Sequence, residues 1–476
     1  RPIALTSCVC KLVETLIKNR LQEFVEINQI LPESQNGFRQ GRSCHNNIFE
    51  LTAAINEALM ECKMIIGAFL DVKGAFDNVN CDILIEKLAE IGCPRELIQF
   101  VKFLTNERRI FTESDVQEGR LTHKGVPQGG VLSPLLYIIY TKDIVRNISK
   151  TVDPLQFADD IGLKYKCCTV KHGLKIVENT IKKIDSNLRE IGLELSPEKT
   201  KLVIFTKKRI KPMDHHVTIN GTQIKSQEST KFLGVLFDYL GNFSKHNKVT
   251  YSKCFKALNI LKYTSGKWWG AHPETLTRMY KSYVRSIMDY NSYVNIMKKT
   301  NLDKIEKIQY AAIRIILGLR NSTPTNILIA ESKLIYVKDR ANFLLAKFLI
   351  KTFHGNTPKS LASFHKVTET GNKKPERINT LVQTLINFKN TYYTQHQEGK
   401  STEELNLEAE KEAIKNTLKQ LKIIGKTKGV TYTELYLNES TKPWFHKKKI
   451  TREVIVFVSR CRSGHYNLAT SLSKIK

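Results

Sequence analysis

Two adjacent aspartates, Asp159 and Asp160, interrupt an otherwise apolar, strand-like run, LQFADDIGLKY, at residues 155–165. Because neighbouring side chains of a strand point to opposite faces, two consecutive acids can serve one site only where the strand turns. The run therefore predicts a tight β-hairpin with both carboxylates at its tip. Carboxylates in an apolar setting repel each other and resist the loss of water, and a divalent cation would offset both effects. The alternative for an isolated Asp-Asp pair is a solvated turn.

A third acid, Asp71, ends a second apolar run. The stretch MIIGAFLDV (64–72) predicts a buried strand, and Asp71 lies at its end. Mg²⁺ prefers oxygen ligands and is usually held by a few carboxylates together with substrate phosphates. The three acids could then hold two Mg²⁺ ions, a pair that can activate an attacking 3′-hydroxyl and stabilise a leaving pyrophosphate.

The charge of the chain indicates a polyanionic partner. Among 476 residues, 75 Lys and Arg outnumber 46 Asp and Glu, which gives a formal net charge of +29. Nucleic acid and an anionic membrane surface both fit such a balance. The longest apolar run, PLLYIIY (134–140), is too short to span a bilayer, and the ten cysteines lack the spacing of zinc ligands. We therefore expect nucleic acid and no membrane as the partner, and reduced cysteines.

The chain changes character along its length. Strand and helix patterns interleave up to about residue 240, which is typical of an α+β or α/β unit. Helical patterns dominate residues 241–350, whereas residues 351–400 are polar with weak periodicity, as in a linker or a loosely ordered insert. A capping-box pattern then opens a predicted helix over 401–425.

Seven motifs, in this order, resemble the reverse transcriptase of a non-LTR, LINE-type retrotransposon, with the jockey-like elements as the closest match. They read RPIALTSCVCKLVETLIKNRL (1–21), LPESQNGFRQGRSCHNNI (31–48), FLDVKGAFDNV (69–79), GVPQGGVLSPLLYIIY (125–140), QFADDIGL (156–163), GLELSPEKTKLVIF (192–205) and KFLGVLFD (231–238). The resemblance implies an α+β, right-hand polymerase with fingers and palm in 1–240 and a helical, thumb-like region in 241–350. Residues 401–476 would form a C-terminal helical region associated with nucleic acid.

The same resemblance implies the metal ligands and the residue that selects the sugar. Asp71, Asp159 and Asp160 match the metal-binding acids, and Asp159 should matter most. Phe76 matches an aromatic gate, whose ring would clash with a ribose 2′-hydroxyl and so favour dNTPs. Two Mg²⁺ ions are implied as cofactors, with Mn²⁺ as a substitute.

Five further residues match positions near the nucleotide and the template. Lys199 would protonate the pyrophosphate or neutralise its charge, with an ordinary surface lysine as the alternative. Gln128 and Gly129 belong to the turn that would face the incoming nucleotide and the template. Arg39 and Arg42 are candidate triphosphate contacts because a guanidinium fork suits phosphate, although surface arginines would give the same pattern.

The implied function is RNA-directed DNA synthesis from a 3′-hydroxyl primer, used for target-primed integration of the element's own RNA. An RNA template, a DNA primer, the RNA–DNA hybrid and dNTPs would be the partners, in a ribonucleoprotein of cytoplasm and nucleus. Gly74 and Ser196 depart from commoner members of the family, but neither replaces a metal ligand. We also expect an endonuclease upstream of Arg1, a cysteine-rich knuckle beyond Lys476, and no RNase H domain in 341–441.

Three alternatives stay open at this point. A truncated, catalytically inactive remnant would act at most as an RNA-binding protein, although all three acids are present. Another class of reverse transcriptase, such as an intron-encoded maturase, is disfavoured by the region after residue 245. A non-enzymatic RNA-binding protein would use the basic surface alone.

Overall fold

A four-stranded antiparallel sheet forms around the apolar run at 64–72. The structure is a computed structural model and describes residues 3–106, 108–112, 115–208, 214–266, 269–290, 292, 299–355 and 357–464. In chain order, the strands of the described residues are β1 (Met64–Leu70), β2 (Arg108–Thr112), β3 (Asp115–Thr122), β4 (Asp153–Phe157), β5 (Asp160–Cys167), β6 (Lys201–Phe205), β7 (His216–Ile219), β8 (Thr222–Lys225), β9 (Ser229–Phe232) and β10 (Val235–Asp238). The sheet order is β4-β5-β1-β6, so β1 is central, and all of its residues are buried as predicted.

Both edges of β1 are paired along most of its length. β1 pairs with β5 from Met64 opposite Cys167 to Leu70 opposite Ile161. On its other side, β1 pairs with β6 from Ile65 onwards. The register of such a strand is strongly specified, because a slip by one residue would exchange the side chains of its two buried faces. The register therefore fixes where β1 ends between its two neighbouring strands, and with it the position of the next residue, Asp71.

Helices cover the sheet and form most of the remaining chain. In chain order they are α1 (Cys8–Ile27), α2 (Cys44–Met60), α3 (Cys81–Glu90), α4 (Arg95–Thr105), α5 (Ser133–Tyr140), α6 (Val170–Glu190), α7 (Ser244–Thr264), α8 (Pro273–Met279), α9 (Ser286–Asp289), α10 (Lys299–Leu317), α11 (Thr325–Ser332), α12 (Val337–His354), α13 (Pro358–Lys373), α14 (Thr380–Phe388), α15 (Thr394–Gln397), α16 (Thr402–Gly425), α17 (Val430–Tyr436) and α18 (Arg452–Arg462). Two π-helical segments, Tyr280–Arg285 and Lys389–Tyr393, and a 3-10 turn, Pro375–Arg377, complete the helical structure of the described residues. The predicted α+β class is confirmed, and within the described ranges no helix has the length and apolar character needed to cross a membrane.

The chain divides into two compact units. The first unit comprises residues 1–241 together with 355–377, and the second comprises 242–354 together with 378–476. The core of the first unit contains the buried faces of β1, α5 and α6. The second unit is helical in its described part, and α7, α10 and α11 contribute to its core. All ten cysteines are free thiols.

The prediction of a linker or loosely ordered insert at 351–400 is wrong. Helices occupy most of this stretch, and α13 packs against α2 in the first unit. The buried positions of α13 recur at helical spacing, but they include Ser360, Thr368 and Gly371. The apolar residues Leu361, Phe364 and Val367 recur at helical spacing, but the small and polar members of the buried stripe and the polar surroundings obscure this repeat, which is the main sequence signal for a helix. The predicted helix over 401–425 is confirmed as α16, and the last part of the predicted region 401–476, residues 465–476, lies outside the described residues.

Candidate active site

The predicted hairpin forms, and its turn consists of Ala158 and Asp159. β4 pairs with β5 up to Phe157 opposite Asp160, which leaves two residues to make the turn. Ala158 has a positive φ of 57°, a conformation that residues other than glycine adopt mainly in tight turns. Asp159 is half-buried in the turn, and Asp160 is exposed at the start of β5. Both acids therefore lie at the tip of the hairpin.

Asp71 emerges beside this tip. The last pair between β1 and β5 joins Leu70 to Ile161, and one further step in the same register sets Asp71 opposite Asp160. Directly opposed residues of an antiparallel pair project from the same face of the sheet. The sheet therefore brings the strand-end acid and the hairpin acids to one end of β1.

The segment after α6 covers the other side of Asp71. The backbone N–H of Ser196 donates to the Asp71 carbonyl oxygen at 2.8 Å, so this contact does not depend on the side chain of residue 196. Lys199 follows in the same turn, and its Nζ lies 3.5 Å from Asp71 Oδ2. The lysine side chain is 71% exposed, and an exposed ion pair of this kind contributes little to stability. Lys199 can therefore exchange this carboxylate for another anion at low cost.

The acids at the hairpin tip suit a hard divalent cation. In the described part of the chain, no three His, Cys, Asp or Glu side chains are grouped closely enough to hold a metal by themselves. Mg²⁺ does not need such a cage, because it keeps several waters and is usually held by one or two carboxylates plus substrate phosphates. The Asp71 side chain is 36% exposed and Asp160 is exposed, which leaves room for such additional ligands. The residues present therefore fit a cation that binds together with a phosphate.

Phe76 lies on the turn that follows β1 and Asp71. Its ring stacks on the buried ring of Tyr137 from α5, with centroids 4.6 Å apart and 16° between the planes. Such contacts between aromatic rings favour a defined orientation. A half-buried ring supported from behind in this way can exclude a substituent of a neighbouring ligand.

The loop that contains Gln128 and Gly129 is hydrogen-bonded to the turn of Phe76. The Val126 N–H donates to the Phe76 carbonyl oxygen at 2.9 Å, and Gln128 Nε2 donates to Asp77 Oδ1 at 2.8 Å. Gly129 has a φ of 109°, a conformation open chiefly to glycine, and a Cβ there would lie 3.0 Å from a backbone oxygen of the N-terminal segment. The structure thus brings the loop of Gln128 next to Phe76 and the end of β1.

Comparison with known proteins identifies the family of the segment that contains these acids. Residues 1–237 match the family described as reverse transcriptase (RNA-dependent DNA polymerase). Through this segment, the chain belongs to the reverse transcriptase family. Members of the family generally use divalent metals, which agrees with the carboxylates at the hairpin tip. The assignment of fingers and palm to residues 1–240 stays a prediction.

Its relatives include polymerases of non-LTR retrotransposons. The chain is 29% identical over 325 residues to the probable RNA-directed DNA polymerase from transposon BS of Drosophila melanogaster, covering 66% of this chain and 36% of that protein. It is 26% identical over 332 residues to the RNA-directed DNA polymerase from mobile element jockey of Drosophila melanogaster, covering 67% of this chain and 35% of that protein. The chain thus spans about a third of the length of these curated relatives. The resemblance to jockey-like elements is confirmed.

A solved structure gives a weaker likeness. Telomerase from Candida tropicalis, in complex with a TWJ fragment of telomeric RNA, is 16% identical with a TM-score of 0.38, over 80% of this chain and 56% of that one. The assignment of the reverse transcriptase domain depends on the family match and on the topology of its sheet.

Arg39 of the reverse transcriptase domain is a structural residue, which corrects its predicted contact with the triphosphate. Its side chain is 5% exposed, and Nε and Nη2 donate to the two carboxylate oxygens of Glu26 at 2.9 and 2.6 Å. Nη1 donates to the carbonyl oxygen of Pro32 at 3.1 Å. This bidentate pair uses the guanidinium fork that would otherwise hold a phosphate.

Arg42 is better suited than Arg39 to contact a phosphate. It is half-buried, and its Nη1 donates to the backbone carbonyl of Glu33 at 2.8 Å. Burial and the neighbouring Arg39 lower the pKa of the Arg42 guanidinium. Nη1 also approaches the backbone carbonyl of Gln35 at 3.5 Å, so these two contacts are with neutral oxygens and leave the charge of the guanidinium available to a phosphate. The role of Arg42 at the triphosphate stays a prediction.

A buried polar network behind the hairpin was not predicted. Gln35 Oε1 accepts hydrogen bonds from the N–H groups of Ala158 at 3.0 Å and of Gly37 at 2.9 Å. Gln156 is fully buried in β4, and its backbone N–H donates to the Ser34 carbonyl oxygen at 2.9 Å. The motif LPESQNGFRQGRS thereby supports the turn that carries Asp159 from the side of the core. The sequence carried one signal for this network, since Gln156 is a lone amide in an apolar strand.

We expect Gln35→Met to destabilise the first unit and to slow nucleotide addition. Methionine fills a similar volume but leaves the N–H groups of Ala158 and Gly37 without an acceptor, and each buried donor left unpaired costs about 1–3 kcal/mol. Thermal unfolding and single-turnover primer extension measure the two effects. Gln223→Met, at an exposed position of β8, is the control and should change neither quantity. Identical behaviour of the two variants would show that Gln35 does not support the turn.

Proposed function

We propose that this chain is an RNA-directed DNA polymerase that extends a 3′-hydroxyl primer with dNTPs on an RNA template, as in target-primed synthesis by a non-LTR retrotransposon. The observation that supports this most is the register that sets Asp71 opposite the two-acid turn within a reverse transcriptase domain. The curated relatives carry names with the same activity.

Asp71, Asp159 and Asp160 would hold two Mg²⁺ ions, with Mn²⁺ as a substitute. When bound, divalent ions lower the pKa of an attacking hydroxyl and neutralise charge on the leaving group. The chain itself would contribute the placement of the acids, because Asp71 directly follows the last β1–β5 pair, Leu70 with Ile161, and Asp159 lies in the two-residue turn before β5. Lys199, close to Asp71 and largely exposed, would protonate the pyrophosphate or neutralise its charge.

The nucleic-acid partners would be an RNA template, a DNA primer and the hybrid between them. The net charge of +29 supports binding to such a polyanion. A-form helices are recognised mainly through their backbone and 2′-hydroxyls, so the template sequence should matter little for affinity. Gln128 and Gly129 would face the incoming nucleotide and the template, beside Phe76.

Primer extension on poly(rA)/oligo(dT) tests this function directly. The full chain should incorporate dTTP in the presence of Mg²⁺ or Mn²⁺ and should stop when EDTA removes the metal. A parallel reaction on poly(dA)/oligo(dT) shows how far the enzyme requires an RNA template. Binding of the hybrid without extension under all metal conditions would overturn the polymerase and favour an inactive, RNA-binding remnant.

We expect Phe76→Val to relax the discrimination against ribonucleotides. Valine keeps an apolar contact with Tyr137 but removes the ring that would meet a 2′-hydroxyl. The ratio of kcat/KM for dTTP over UTP should fall by at least about tenfold in single-nucleotide kinetics, while dTTP addition changes little. Phe103→Val, at a position 83% exposed on α4, should keep the ratio. An unchanged ratio in Phe76→Val would contradict the assignment of the gate.

A further inference from the structure

The second unit contains a cavity of about 420 Å³ that is rich in positive charge. We call it the basic pocket, and its cationic lining residues are Lys281, Arg285, Lys333 and Arg340. Only two carboxylates, those of Asp289 and Glu410, line it among the described residues. Its size falls within the range of about 300–1,000 Å³ that is usual for small-ligand sites.

A π-helical segment supplies two of these cations. Tyr280–Arg285 interrupts the helix between α8 and α9, and it carries both Lys281 and Arg285. The segment is anchored by the fully buried Tyr280, whose hydroxyl donates to Gln309 Oε1 at 2.9 Å. Single turns of π-helix within α-helices occur frequently at functional sites. The position of the two cations in the pocket is therefore held by the core of the unit.

The positive charge in the pocket exceeds the negative charge that could neutralise it. Arg340 donates to Asp289 Oδ2 through Nε at 3.1 Å and Nη2 at 2.9 Å. The Nε of Arg285 lies 3.8 Å from the same oxygen, although its side chain is only 11% exposed. Burial and the neighbouring Arg340 lower the pKa of Arg285. An anion placed between these groups would relieve their mutual repulsion.

The pocket also has apolar lining residues, and one of them carries an aromatic ring. Its apolar lining includes Phe343, Leu334, Ile414, Leu418 and Leu421. Phe343 is half-buried, and the guanidinium carbon of Arg340 lies 5.4 Å from its ring centroid. A nucleobase can stack on such an aromatic or guanidinium surface without regard to its identity. A ligand that combines a phosphate with a flat ring matches both the cationic and the apolar lining residues of the pocket.

We propose that the basic pocket binds one nucleotide of single-stranded RNA, with its phosphate against Lys281 and Arg285 and its base against the wall of Phe343. The site goes beyond the proposed polymerase activity, because the second unit lies outside the residues matched to the reverse transcriptase family. The pocket would hold an unpaired nucleotide of an RNA while the first unit performs synthesis.

Lysine footprinting of the full chain tests occupancy at the pocket itself. Acetic anhydride labels accessible lysines, and mass spectrometry reports the labelling of Lys281 and Lys333 separately from that of Lys199 in the first unit. AMP should reduce labelling of Lys281 and Lys333 in a saturable manner, whereas adenosine should leave it unchanged and inorganic phosphate should act only at much higher concentration. Equal protection by phosphate and AMP, or no protection by AMP, would overturn the nucleotide site.

Charge reversal at the pocket tests its role in RNA binding. Lys281→Glu should weaken binding of a fluorescein-labelled ten-nucleotide oligo(rA) by about tenfold, the value of losing one charged hydrogen bond. Lys347→Glu makes the same change at an exposed position of α12 outside the pocket, and it should reduce affinity by less than about threefold. Both positions are exposed, so both variants should keep the melting temperature of the parent chain. Equal affinities of the two variants would refute the proposal.

Discussion

Asp159→Asn is expected to abolish primer extension, with a loss of at least about 10³-fold, and to leave binding of the primer–template nearly intact. Asparagine preserves the size of the side chain in the turn but removes its charge. Metal ions stabilise developing charge by several kcal/mol, and each 1.36 kcal/mol is about a factor of ten in rate. Phosphate contacts come from basic side chains, so the affinity for the hybrid should not depend on this acid. Single-turnover extension and filter binding on poly(rA)/oligo(dT) measure the two quantities.

Asp82→Asn is the matched control for this substitution. Asp82 is exposed in the first turn of α3, outside the hairpin tip. The variant loses only a weak interaction with the helix dipole, so extension should stay within about twofold of the parent chain. Full activity of Asp159→Asn would remove the assignment of the metal site. A parallel loss of binding, accompanied by a lower melting temperature, would instead mean that the hairpin had misfolded.

Phe364→Ala is expected to produce the largest loss of stability, about 3–5 kcal/mol in the free energy of unfolding of the first unit. Phe364 is fully buried on α13, and truncation of a buried phenylalanine to alanine leaves a cavity that costs about this much. Because α13 packs against α2, the amides of α2 should exchange faster in the variant. Thermal unfolding and hydrogen-exchange mass spectrometry measure both consequences.

Polar contacts tie α13 to the first unit as well. Ser360 Oγ donates to Glu50 Oε1 at 2.8 Å, and Lys359 Nζ lies 2.5 Å from Asp153 Oδ1. Glu50 is 1% exposed, and burial raises the pKa of its carboxyl group. Displacement of α13 would leave this buried acid without the hydroxyl that donates to it, which adds to the cost of the cavity.

Phe353→Ala separates the two units in the same experiment. Phe353 is also buried, but it belongs to the second unit, where its ring centroid lies 5.1 Å from that of Tyr393. This variant should destabilise the helices of the second unit and leave exchange in α2 unchanged. If Phe364→Ala and Phe353→Ala gave the same exchange pattern, residues 355–377 would not belong to the first unit.

Arg39 shows why a motif could not reveal every role in the site. An arginine in this motif can meet a phosphate or a carboxylate, and both choices favour the same guanidinium. In the structure Arg39 forms an ion pair with Glu26, and this pairing depends on how α1 packs against the loop that follows it. The local sequence therefore predicted the residue type correctly but could not predict its partner.

The sequence by itself determined the acidic centre of this reverse transcriptase domain. Two adjacent acids in an apolar strand require a turn, and an apolar run that ends in an acid requires a buried strand, because side chains alternate along a strand. Both inferences use residues only a few positions apart. For that reason the hairpin tip with Asp159 and the strand before Asp71 could be predicted without any tertiary contact.

Only the tertiary structure decided which distant segments support that centre. Gln35 meets the turn of the β4–β5 hairpin, and α13 packs on α2, and both contacts join segments that lie more than a hundred residues apart in the sequence. The buried stripe of α13 includes Ser360, whose burial is favourable because its hydroxyl donates to Glu50 of α2. Complementarity of this kind belongs to two surfaces together, so neither stretch of sequence could display it alone.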